Sequence, residues 1–76
     1  MPFIHVRAYS GRDLEAKKKA AQAMVKAASE VMGAPEGAFT VVYEDVDREN
    51  WERDVVREII EPLRGKIVLE HGDIVR

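Results

Sequence analysis

The chain has no cysteine. Disulfides and thiolate metal sites are therefore excluded as staples for a fold of 76 residues. A chain of this length makes one domain and buries only about 60% of the surface its unfolded form exposes. Aromatic residues are also few, at 7%, yet hydrophobic residues make up 46%. With so small a core of its own, the chain is expected to bury apolar surface between subunits, so self-association is the remaining staple. No apolar run approaches the ~20 residues that span a bilayer. His5 and Arg7 interrupt any signal-type apolar segment at the start. The expected location is the cytoplasm, with no membrane partner. The 12 basic and 14 acidic residues give a net charge of −2, which argues against a dedicated nucleic-acid binder. P-loop, GxGxxG and nucleophile-elbow motifs are absent. His5 and His71 lack the spacing and carboxylate company of a metal pair, and no cofactor motif appears.

What is present is a pattern of elements. Residues Pro2 to Tyr9 alternate as a strand, with Pro2, Ile4, Val6 and Ala8 on one face and Phe3, His5, Arg7 and Tyr9 on the other. Proline is tolerated at the first residue of a strand. Ser10-Gly11-Arg12 reads as a turn and Asp13 as an N-cap. A helix is expected from about Leu14 to Met32. Its apolar stripe holds Leu14, Ala20, Ala21, Met24, Ala28 and Val31, with Lys17, Lys18, Lys26 and Glu30 outside it. The run Lys17-Lys18-Lys19 reads as a solvated helix face. Gly33 suits a left-handed cap and Pro35 follows it.

Phe39 to Val46 is rich in β-branched and aromatic side chains and reads as a second strand. Strand, helix and strand in this order make a βαβ unit of an α/β (α+β) fold, with parallel strands and a right-handed crossover. From Asp47 a second helix is expected, with Trp51, Val55, Ile59 and Leu63 recurring every four residues and Pro62 ending or kinking it. The tail, with Ile67-Val68-Leu69 and a turn at His71-Gly72-Asp73, reads as a short strand or an arm. The whole chain, 1–76, reads as one domain. A two-stranded sheet covered by one helix leaves a face and two edges bare, so a dimer or higher oligomer is expected.

Pro2 carries the chemical interest. Removal of Met1 exposes a secondary amine, and burial against apolar side chains lowers the pKa of such an amine from near 8 toward the range of a general base. Pro2 opening a strand, "SGR" closing it, an Ala/Lys-rich helix, "GAP" and a second strand that ends before an aromatic residue resemble the 4-oxalocrotonate tautomerase family. The likeness covers Pro2 to about Trp51. The remainder, "ENWERDVVREIIEP" and its tail, is similar to a bacterial branch in which a second helix and tail replace the usual C-terminal hairpin. That branch includes a dimeric member, whereas the founding enzymes are hexamers.

The resemblance implies a cofactor-independent keto–enol tautomerase acting on a small 2-oxo acid or its enol. Pro2 is then the base, Arg12 holds the substrate carboxylate bidentately, and Trp51 with Tyr9 walls the pocket. The family's second arginine falls at Thr40, so a substrate with one carboxylate is expected rather than the founding dicarboxylate. Glu44 and Glu52 are the carboxylates available for the water activation that hydrolytic relatives use. His5 lies on the strand face opposite Pro2 and reads as structural. The rival reading is a non-catalytic oligomeric βαβ module that binds a small apolar or acidic ligand.

Overall fold

A computed structural model describes residues 1–76, which form two compact units, Met1–Val46 and Asp47–Arg76. The first contains strand β1 (Phe3–Tyr9), helix α1 (Leu14–Met32), a 3₁₀ turn (Glu36–Ala38) and strand β2 (Thr40–Val46). β1 and β2 pair in parallel, from Phe3 opposite Thr40 to Tyr9 opposite Val46, as the βαβ order requires. Each strand begins one residue later than its alternation suggests. Pro2 stays outside β1 because it has no N–H to give the ladder.

Alternation along the paired strands divides the sheet into two faces. Ile4, Val6 and Ala8 share a face with Val41, Tyr43 and Asp45. α1 lies over this face: Lys17 Nζ reaches Asp45 Oδ2 at 2.6 Å and sits 5.8 Å from the centre of the Tyr43 ring. The opposite, helix-free face carries Phe3, His5, Arg7 and Tyr9 beside Thr40, Val42 and Glu44.

α1 has the boundaries that its caps specify. Asp13 accepts the Ala16 N–H at 2.8 Å, and Gly33, at φ +74°, donates its N–H to the Ser29 carbonyl at 3.0 Å. The buried stripe differs from the expected one. Leu14 and Val31 are 62% and 88% exposed. A helix of 19 residues is about 28 Å long and a strand of 7 about 23 Å, so α1 overruns the sheet at its ends. Lys17 is likewise no part of a solvated face. Its stem packs toward β2 while its ammonium meets Asp45, leaving Lys18 and Lys19 as the exposed part of the run.

The second unit begins with a 3₁₀ turn (Arg48–Asn50), followed by a π-helical segment (Glu52–Ile60) and a 3₁₀ segment (Glu61–Lys66). The expected α-helix is thus wound more widely. The Glu61 N–H reaches back five residues to the Val56 carbonyl, and Glu52 lies 3.9 Å from Arg57, also five residues away. The β-branched pairs Val55-Val56 and Ile59-Ile60 crowd an α-turn, and Pro62 withholds an N–H just beyond. Val55 is buried, with Trp51, Val56, Ile59 and Ile60 half-buried. Leu63 leaves the stripe and is 44% exposed, because the change to 3₁₀ winding at Glu61 breaks the four-residue phase.

The tail is a hairpin rather than an isolated strand or arm. Strands β3 (Leu69–Glu70) and β4 (Asp73–Ile74) pair antiparallel around His71-Gly72. Both turn residues have positive φ, +51° and +84°, as a type I′ turn demands. Arg64 grips Glu70 at 2.6 Å, and Arg76 donates to the Gly65 carbonyl at 2.7 Å. No helix of the chain is long and apolar enough to cross a membrane.

The cap geometry makes a paired prediction. Gly33→Ala forces an L side chain into the left-handed region and should cost about 1 kcal/mol of stability in urea unfolding. Gly37→Ala, with open space and no positive φ, should be neutral or slightly stabilising. Equal losses at both positions would refute the assignment of the Gly33 cap.

Candidate active site

Pro2 is half-buried one residue ahead of β1, and its carbonyl accepts the Thr40 N–H at 3.2 Å. The proline ring is thereby tied to the start of both strands. Met1 is fully exposed, and while it is present the Pro2 nitrogen is an amide. Thr40, opposite Phe3, is the nearest residue of β2 to the candidate base.

Arg12 lies beyond the other end of β1. Its Nη1 donates to the Tyr9 carbonyl at 3.3 Å. The direction of that carbonyl follows from the ladder: the Ser10 N–H donates to Val46 on β2 at 3.1 Å. The Tyr9 C=O, on the same peptide unit, therefore points the opposite way, off the free edge of β1. Arg12 and Tyr9 are brought together there. Pro2 is not brought to them, because the run from Pro2 to Tyr9 spans about 23 Å.

The guanidinium of Arg12 holds a backbone carbonyl and no carboxylate. Arg7 faces Glu44 at 3.8 Å, Arg53 holds Asp54 at 2.6 Å, and Arg57 faces Glu52 at 3.9 Å. Hydrogen bonds to Asp54 and to Glu70 push the guanidiniums of Arg53 and Arg64 further up from their usual range. Asp13, adjacent to Arg12, is engaged in capping α1. Charge-assisted bonding to a carboxylate is thus left open at Arg12, in a fork suited to it.

A sequence model described as "Tautomerase: Tautomerase enzyme" matches residues 2–58. The chain belongs to this tautomerase family. The match begins at the proline itself and runs through both strands and α1 into the π-helical segment. No solved structure matches the chain.

The remaining candidates of this tautomerase lie elsewhere. Trp51 is half-buried at the head of the π-helical segment, in the second unit. His5 is on the helix-free face, where its Nε2 donates to Glu44 Oε1 at 2.7 Å. Glu44 is thereby shared between His5 and Arg7, and Glu52 is exposed beside Arg57. No cluster of three or more His, Asp or Glu side chains is placed to hold a metal ion. Sequence reasoning passed over Phe3, which stands next to Pro2 and is 61% exposed. The signal was available in the alternation, which sets Phe3 on the face that α1 leaves bare.

The uncommitted charge at Arg12 has a measurable consequence. In calorimetric titration with a small 2-oxo monocarboxylate, Arg12→Ala should weaken binding roughly ten- to hundredfold, the value of a charge-assisted bond. Arg57→Ala, which removes a guanidinium already facing Glu52, should leave affinity within about twofold. Equal effects of the two substitutions would remove Arg12 from the site.

Proposed function

We propose that the chain is a cofactor-independent keto–enol tautomerase in which Pro2, freed of Met1, is the general base. The observation that carries the proposal is the carboxylate-free guanidinium of Arg12 on the free edge of β1. That edge offers unpaired backbone groups along the whole strand. A second copy running antiparallel along it sets the partner subunit's Arg12 near Pro2, and twofold symmetry repeats the arrangement. The site is then shared, and the working form is a homo-oligomer: a dimer, or a hexamer of three such dimers.

The chemistry needs one base and one anion clamp. The lone pair of the Pro2 amine takes the enol hydroxyl proton, and the O–H electron pair becomes the C=O π bond. The C=C pair shifts along the conjugated chain and takes the same proton back from the prolinium. Atoms and electrons balance within substrate and proline, so no redox partner enters. Met1 must be absent, since an amide nitrogen has no available lone pair, and its full exposure leaves the peptide bond open to processing. Tyr9, brought to Arg12 at the strand edge, is the aromatic side chain assigned to the pocket wall, and the family resemblance gives the same role to Trp51.

The resemblance sets Thr40 where the family carries its second arginine, so a hydroxyl stands beside Pro2 in place of a second charge for a dicarboxylate. The substrate is accordingly an enol with one carboxylate, such as a 2-hydroxydienoate or an arylenolpyruvate. A chain that retains Met1 keeps Arg12 and loses the base; in that form it is a binding module for a small acid.

The shared site is tested, at substrate well below KM, by mixing two impaired chains. One retains Met1 and lacks the base; the other is a processed Arg12→Ala variant whose weakened binding leaves it at most about a tenth of full turnover there. After exchange of subunits in equal amounts, about a quarter of the sites of a dimer population are complete, and turnover of a monocarboxylate enol should return to that level. A mixture as inactive as its parts contradicts the shared site. A Met1-capped chain that is active alone contradicts the base. Preference for a dicarboxylate enol contradicts the assigned substrate.

A further inference from the structure

We infer that Phe3 is the specificity-determining wall against which the apolar tail of the substrate lies, and that His5 and Glu44 hold it in place. The inference rests on the tautomerase reading and adds to it the residue that discriminates between substrates. Phe3 follows the base directly, with the two Cα atoms about 3.8 Å apart. Pro2 lies ahead of β1, at the strand end from which both sheet faces start, so a substrate at its nitrogen can extend onto the helix-free face that Phe3 occupies. It stands opposite Thr40, whose N–H is bonded to the Pro2 carbonyl.

The ring is exposed, yet it is held. The His5 ring lies 6.1 Å away at a 57° tilt, within the edge-to-face range that aromatic quadrupoles favour. His5 is in turn anchored by Glu44 at 2.7 Å, and Glu44 also faces Arg7 at 3.8 Å. This chain of contacts fixes one side of the Phe3 ring, while its cross-strand neighbour Thr40 is short. On the helix-free face the ionised pair Arg7 and Glu44 lies two rungs beyond Phe3 and Thr40. The first two rungs, nearest Pro2, carry Phe3 and Thr40, then Val42 and the His5 ring that Glu44 holds. A firm aromatic surface one residue from the base suits an uncharged apolar tail attached to the enol.

The test compares two enols with the same carboxylate head, one bearing a methyl group and one a bulky apolar tail, on the processed oligomer. Phe3→Ala should raise KM for the bulky enol roughly threefold to tenfold, with kcat little changed and the methyl enol unaffected. His5→Ala should give a smaller loss in the same direction, and His5→Phe, which keeps a ring beside Phe3, should restore it. The Kd values of the two corresponding 2-oxo acids, measured by calorimetry on the same variants, make the comparison without turnover. An equal loss for both tails, or a changed sedimenting mass with unchanged tail preference, overturns the inference. Arg12→Ala separates it from the reading beneath: both enols should suffer alike. Loss of tail preference in Phe3→Ala with no effect of Arg12→Ala sinks the anion clamp and leaves the wall standing.

Discussion

The parallel pairing of β1 with β2 is the constraint on which everything else depends. It anchors Pro2 through the Thr40 N–H at one end and turns the Tyr9 carbonyl, with Arg12 on it, off the free edge at the other. Because β1 is extended and about 23 Å long, the same pairing that fixes both groups keeps them apart within one chain. On the proposed reading this gives the chain a reason to associate that is separate from stability, since a base at Pro2 and an anion clamp at Arg12 would meet only across two copies.

Stability points in the same direction. Only Val46 and Val55, 7% and 6% exposed, are buried, and no side chain is fully buried. Apolar side chains of β1, α1 and the C-terminal hairpin are left in solvent, Phe3, Leu14, Val31 and Ile74 among them. At 76 residues without a disulfide, such a chain has little hydrophobic stabilisation of its own. The proposed association along the β1 edge would satisfy backbone groups that a two-stranded sheet leaves open.

Much of this was legible in the sequence, for local reasons. Asp13 and Gly33 mark α1 because capping chemistry is decided by single residues, and both ends fall where those residues stand. The βαβ unit follows from alternation and order alone. Other features depend on contacts that a sequence does not display. Lys17 reads as one of three like charges until Asp45 and Tyr43 are seen beneath it. The second helix keeps its place but not its winding, which the four-residue spacing of Trp51, Val55 and Ile59 does not reveal. Of the candidate site, the sequence offers Pro2 and Arg12 through the family resemblance. Their opposite positions on β1 and the exposed ring of Phe3 became evident only with the register.

The central claim is that the Pro2 nitrogen, once freed, is a neutral amine at working pH. Nitrogen-15 labelled proline reports this directly, through the titration of the Pro2 resonance in the processed oligomer. In the proposed shared site the positive charge of Arg12 from the second copy disfavours protonation, so the midpoint should lie clearly below the value of about 7.7 for an ordinary α-amine and should rise in Arg12→Ala, as that charge is lost. A midpoint at or above the ordinary value, unmoved by loss of the Arg12 charge, would contradict the account.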